Sequence, residues 1–242
     1  MYKNTHEESR SHKWGPIETV KMRKHFVQFH WGMATVRGYL YTIFLNMSIK
    51  GVVLCIILLF LHHGSGTTLQ SVIDAIQNKT LQANIPLVVS NNPDAYALQR
   101  AKDAGIDTYI IKSKSTCEID EELFEKLKDY KIDLILLAGF LRMIGKNLLD
   151  NYTIINTHPS LLPKYGGKGM HGMNVHKAVI DAHEEYSGVT LHYVNSEYDK
   201  GSIIRQTKVK VEPTDTAETL SAKVQKVEKI QLVKELQKMA NS

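Results

Sequence analysis

Cysteine is scarce in this sequence. Cys55 and Cys117 are the only two among 242 residues, and neither sits in a CxxC pair or at a zinc-ligand spacing. A disulfide-stapled scaffold is therefore excluded, and a reducing compartment, the cytoplasm, is the expected setting. Internal repeats and low-complexity tracts are absent. No excess of one charge marks the body of the chain either. The net charge of +5 comes entirely from residues 1–50, which hold 8 Lys/Arg and 3 Asp/Glu, whereas residues 51–242 hold 22 of each. A nucleic-acid reader needs a basic patch on its folded part, so nucleic acid is not an expected partner. An anionic ligand must be met by local groups rather than by a global field.

Long hydrophobic runs are also lacking. The one unbroken run, residues 52–61, reads Val-Val-Leu-Cys-Ile-Ile-Leu-Leu-Phe-Leu. As a helix it would span roughly 15 Å, about half a bilayer core. Extending it back to Tyr39 crosses Asn46, Ser48 and Lys50. A membrane anchor at 39–61 attached to a nucleotide-binding module is thus the disfavoured reading. The favoured one is a central parallel strand covered on both faces, with Cys55 as a small buried hydrophobe. Residues 1–49 carry both tryptophans and four of the eight methionines without a clear period. They read as an N-terminal extension, with Met47 as an alternative start and residues 50–242 as the main domain. The short basic stretch and small-residue cleavage site of a secretory signal are missing from it.

What is present is a strand–loop–helix rhythm. After the run come His62-His63-Gly64-Ser65-Gly66-Thr67-Thr68 and a helical pattern on Leu69, Val72, Ile73 and Ile76. Strands are expected at 86–90, 108–111, 133–137, 153–156, 190–195 and 203–211. Helices are expected at 95–104, 121–130 and from 216 to 238. This alternation predicts an open, mostly parallel, Rossmann-like α/β sheet with helices on both faces. Ligands of such sheets bind at the carboxyl ends of the strands, so chemistry is sought after residues 61, 90, 137 and 156.

Two strings stand there. Gly64-Ser65-Gly66-Thr67-Thr68 lacks the third glycine of a dinucleotide fingerprint, since Leu69 takes its place, and the Lys-Ser/Thr of a P-loop. It is a phosphate cradle at a helix N-terminus or simply a tight turn. Asn156-Thr157-His158-Pro159-Ser160-Leu161-Leu162-Pro163 follows a strand. Residues two apart in an extended segment point the same way, so Asn156 and His158 face one site. An Asn amide can donate to a developing oxyanion, and a His can move a proton near neutral pH. A His merely satisfied in a turn is the plainer alternative. His62 with His63, and His171 with His176 on a glycine-rich stretch, make poor metal pairs, and no metal is expected.

The string from Asn156 to Tyr165 resembles the signature of the formyltransferases that use 10-formyltetrahydrofolate. Gly64-Ser65-Gly66-Thr67, Ala138-Gly139-Phe140-Leu141-Arg142 and Val194-Asn195-Ser196-Glu197-Tyr198-Asp199-Lys200-Gly201 fall in that family's order, over roughly residues 52–237. The continuation Lys164-Tyr165-Gly166-Gly167 is similar to the branch acting on glycinamide ribonucleotide. The resemblance implies small-molecule substrates, a formyl folate and a phosphorylated amine, with the oligomeric state left open. It implies His158 as the acid/base, Asn156 polarising the formyl oxygen, and Asp199 orienting His158 and favouring its protonated form. Gly66, Thr67 and Thr68 would hold the substrate phosphate, and Gln225 and Glu228 the rest of the ribonucleotide. Leu141, Arg142, Met143 and Ile144, with Asn156 and Asn195, Ser196, Glu197, Tyr198 and Asp199, would form the folate pocket. Each has a plainer role open to it: a surface charge for Arg142, core for Met143 and Ile144, a turn cap for Asp199, a charged helix face for Gln225 and Glu228. Two positions depart from the family pattern: His63 stands where a small Ser is usual, and Thr68 where Asn is common. Another folate-dependent formyl transfer, or deformylation, is the alternative on the same fold.

Overall fold

The structure, a computed structural model, describes residues 54–60 and 65–241. The readings of residues 1–49, of His62, His63 and Gly64, and of the Cys55 side chain fall outside what it describes. The elements in chain order are β1 (Leu54–Phe60), α1 (Thr67–Gln77), β2 (Ala83–Ser90), α2 (Tyr96–Asp103), β3 (Asp107–Ile110), α3 (Thr116–Leu127) and β4 (Leu134–Ala138). They continue with α4 (Lys146–Asn151), β5 (Ile154–His158), α5 (Met173–Asp181), β6 (Tyr186–Tyr193), β7 (Ile203–Lys210) and α6 (Ala217–Ala240).

Among the described residues the strands form one seven-stranded sheet in the order β3-β2-β1-β4-β5-β6-β7. The first five are parallel, and β6 and β7 run antiparallel to their neighbours. The apolar run at 52–61 supplies β1, paired on both sides by β2 and β4. Pro86 lies inside β2, where the register with β1 shifts between Cys55 and Ile57. An irregularity of this kind tolerates the missing N–H of proline.

Alternation along the strands feeds two cores. Val88, Leu136 and Ile155 pack with α1, α2 and α6, around Leu69, Val72, Ala97, Leu232 and Leu236. Their strand neighbours Leu87, Val89, Ile135, Leu137 and Ile154 pack with α3 and α4, around Ile119, Leu123, Leu127 and Leu148. A third cluster, Val179, Val189, Val209, Leu220 and Val224, joins α5 and α6 to the antiparallel strands. Fully burying each such side chain contributes about 1.5–3 kcal/mol, and the period of two sends that gain to opposite faces.

One helical expectation needs correction, and two further helices are unexpected. Helix α3 begins at Thr116 rather than 121, because Ser115 and Glu118 form a reciprocal capping box. Helix α4 is too short to show a period; the buried Asp120 accepts from Asn147 N at 2.9 Å and Leu148 N at 3.1 Å and so caps it from outside. Part of the glycine-rich stretch that holds His171 and His176 is helix α5. It buries Val175, His176 and Val179, which places His176 in a helix core.

Candidate active site

The strand order reverses between β1 and β4, and the carboxyl ends of β4 and β5 open there into a cleft. Its floor is apolar, from Leu137, Phe140, Ile144 and Val194, and its polar wall holds Asn156, His192, Asn195 and Asp199. Arg142, Met143, Glu197 and Tyr198 complete the lining. A roomier cavity of about 400 Å³ lies between the Ser160–Tyr165 loop and Glu184–Ser187, but Asn156, His158 and Asp199 do not line it. The smaller cleft is lined by Asn156, His192 and Asp199, with His158 beside Asp199.

Strand β5 runs on through His158, so Asn156 and His158 do share a face. His158 is 5% exposed. Its Nε2 donates to the Tyr165 carbonyl at 2.7 Å, and its Nδ1 lies 3.6 Å from Asp199 Oδ2. The residue across from Asn156 in the antiparallel ladder is His192. Its Nδ1 lies 2.8 Å from the Tyr193 carbonyl, which fixes the proton there and leaves Nε2 as an acceptor. Nε2 then receives Asn156 Nδ2 at 3.2 Å and lies 3.6 Å from Asp199 Oδ1. Burial pushes the His192 imidazole below its ordinary value, although the Tyr193 carbonyl and Asp199 pull the other way. A neutral His192 is the form that accepts from the amide.

The loop after β5 closes on this group. Asp199 Oδ2 accepts from Gly167 N at 2.8 Å. A Cβ on Gly166 would lie 2.5 Å from Leu162 Cδ2 and 3.3 Å from Asp199 Cβ. Glycine at 166 thus lets the chain pass against the carboxylate that faces His158.

A second feature lies at the start of α1. Gly66 is its N-cap, at φ 67°, and offers no side chain to the first-turn N–H groups. Those groups and the helix dipole suit an anion. A Cβ on Gly66 would meet Ala97 Cα at 2.8 Å. Arg100 braces the same loop, its Nε donating to the Ser65 carbonyl at 2.9 Å. Across the loop, Glu228 Oε1 accepts from Thr157 Oγ1 at 2.7 Å and lies 3.5 Å from Thr68 Oγ1. Gln225 is exposed one turn earlier, with Nε2 3.2 Å from Ser221 Oγ.

Most of the residues named from sequence are brought together: Asn156, His158 and Asp199 in one cluster, Arg142, Met143, Ile144, Asn195, Glu197 and Tyr198 around the cleft, and Thr68 beside Glu228. Leu141 and Ser196 are exposed at the rim and do not line it; the Leu141 carbonyl receives Tyr198 OH at 3.4 Å. Sequence reasoning missed His192, Arg100, the Tyr165 carbonyl, and the floor of Leu137, Phe140 and Val194. Among the described residues no group of three or more His, Cys, Asp or Glu is arranged to hold a metal ion.

The family described as Formyl transferase matches residues 57–236. The chain belongs to the formyl transferase family. It is 37% identical over 170 residues to the phosphoribosylglycinamide formyltransferase of Haemophilus influenzae, which covers 68% of this chain and 78% of that protein. It is 35% identical over 167 residues to the chloroplastic phosphoribosylglycinamide formyltransferase of Arabidopsis thaliana, covering 66% of this chain but only 57% of that relative. The crystal structure of the phosphoribosylglycinamide formyltransferase from Coxiella burnetii superimposes with a TM-score of 0.70 at 40% identity, over 78% of this chain and 87% of that one. The open α/β sheet is thus the formyl transferase fold.

Proposed function

We propose that this formyl transferase moves the formyl group of 10-formyltetrahydrofolate to the amine of 5′-phosphoribosylglycinamide, a step of purine biosynthesis in the cytoplasm. The observation that carries the reading is the cluster of Asn156, His158, His192 and Asp199 beside an apolar cleft, with an uncapped helix N-terminus joined to the intervening Thr157 through Glu228. The names of the similar proteins give the same substrate.

In this reading the flat ring of the folate lies in the cleft, on Leu137, Phe140, Ile144 and Val194. Leu141, Arg142, Met143, Asn195, Ser196, Glu197 and Tyr198 border it. The substrate phosphate sits on the backbone of Gly66, Thr67 and Thr68, and its ribose meets Gln225 and Glu228. The amine nitrogen bonds to the formyl carbon as the bond from that carbon to the folate nitrogen breaks. Negative charge gathers on the formyl oxygen in between. Asn156 Nδ2, with one N–H on His192 Nε2, keeps a second N–H for it, and His158, held by the Tyr165 carbonyl, presents Nδ1 beside Asp199. The proton lost by the amine passes to the folate nitrogen, with Asp199 keeping His158 oriented for the exchange.

The test is consumption of 10-formyltetrahydrofolate by the purified protein. It should occur only when glycinamide ribonucleotide is present. Consumption without the ribonucleotide would identify a deformylase instead.

A further inference from the structure

We infer that Thr157 is a positioning residue: it fixes the Glu228 carboxylate so that one oxygen is held by the protein and the other faces the hydroxyls of the substrate ribose. The inference rests on the substrate reading above and adds to it a residue that touches no substrate.

Strand alternation turns Asn156 and His158 to one face of the sheet and Thr157 to the other, the face covered by α1 and α6. Thr157 is 8% exposed. A hydroxyl buried there is costly unless bonded, and it spends its proton on Glu228 Oε1 at 2.7 Å. Thr68 Oγ1, in the first turn of α1, lies 3.5 Å from the same oxygen.

The carboxylate therefore sits where three elements meet: the turn proposed for the phosphate, the strand proposed for the amine, and α6. A ligand joining those two ends must carry its middle past Glu228. Each carboxylate oxygen has two acceptor sites. The two threonine hydroxyls address Oε1; among the described residues Oε2 has no partner, and its two sites are the number that a pair of neighbouring ribose hydroxyls can fill. Burial also pushes the Glu228 carboxyl above its ordinary value, against the pull of Thr157, Lys229 and Thr68. Thr157 thus helps keep the group an acceptor.

The experiment is steady-state kinetics on the full chain with glycinamide ribonucleotide and 10-formyltetrahydrofolate. Thr157→Val, nearly the same shape without the hydroxyl, should raise KM for the ribonucleotide about tenfold, the worth of one hydrogen bond to a charged group. KM for the folate should not move, and kcat should fall by less than about threefold. Thr157→Ser keeps the donor and should restore the ribonucleotide KM. If Thr157→Val does not fold, Thr157→Ala serves in its place with the same expected split. An unchanged ribonucleotide KM, an equal rise for both substrates, or failure of Ser to restore it overturns the inference. A wild-type protein that ignores glycinamide ribonucleotide overturns the substrate reading itself, so the two failures are distinct.

Discussion

The Nε2 of His158 donates to the backbone carbonyl of Tyr165 at 2.7 Å, seven residues ahead in the chain. The ring is thus held by the same loop whose next residues, Gly166 and Gly167, press against Asp199. One turn of backbone sets both neighbours of the imidazole. Gly166→Ala should expose this dependence. The added methyl would meet Leu162, which is buried and has little room to yield. Overpacking of this kind costs about 1–3 kcal/mol. Turnover per folded molecule should fall further, by about tenfold or more, because small displacements of positioned groups are expensive. Thermal melting and kcat on the same variant check both parts; full turnover in a correctly folded Gly166→Ala protein would contradict the coupling.

Gly66→Ala tests the helix start. At φ 67° a Cβ costs about 1–2 kcal/mol. It would also meet the Ala97 backbone at 2.8 Å, which cannot swing aside as a side chain could. We expect a lower melting temperature, and weaker binding of glycinamide ribonucleotide by the folded fraction with folate binding nearly kept. Calorimetry showing equal losses for the two ligands would remove the phosphate from this loop.

The parts of the fold that were legible in sequence are those whose signal is local. Strands β1 and β4 are continuous apolar runs, and Asn156, His158 and Asp199 lie in strings that carry their own spacing. Helix α5 is hidden because Gly166, Gly167, Gly169 and Gly172 lead into it and its pattern, Met173 to Asp181, is only nine residues long. The first turn of α3 is polar, yet Ser115 and Glu118 were a readable cap. His192 is different in kind. Its role arises from the antiparallel register that sets it opposite Asn156, and nothing near it in sequence announces that pairing. The bonds from Arg100 to Ser65 and from Thr157 to Glu228 span 35 and 71 residues, so they too exist only once the sheet is built.

Two buried histidines predict a sensitivity to acid. Burial lowers His176, with repulsion from His158 adding to it, and burial lowers His192. Both thus sit below the ordinary value of 6.5 in the folded protein. Between the folded value and 6.5 the unfolded chain holds more protons, so stability falls as pH drops through that window and is fully present above it. Urea midpoints should therefore decline from pH 7 towards pH 5. Among the described residues, the buried His176 Nδ1 has no hydrogen-bond partner. Replacing it by Leu should flatten the decline, and a decline of the same steepness in His176→Leu would discard its part in the effect.

The catalytic reading predicts that His158→Ala loses turnover by on the order of a hundredfold or more, the usual worth of acid–base and oxyanion groups. Binding of both substrates should change little, since those interactions matter chiefly in the transition state. Asp199→Asn is the sharper probe. Asp199 has φ 56°, a left-handed conformation that Asn tolerates as readily as Asp. The new side-chain oxygen can still accept from Gly167 N, so the turn should survive. What disappears is the negative charge 3.6 Å from both His158 Nδ1 and His192 Nε2. Turnover should fall while melting temperature holds. If His158 were only a satisfied residue in a turn, both substitutions would lower activity in proportion to the folded fraction and no further. Measuring kcat and melting temperature on each variant separates the two cases, and near-normal turnover per folded molecule in His158→Ala would end the assignment.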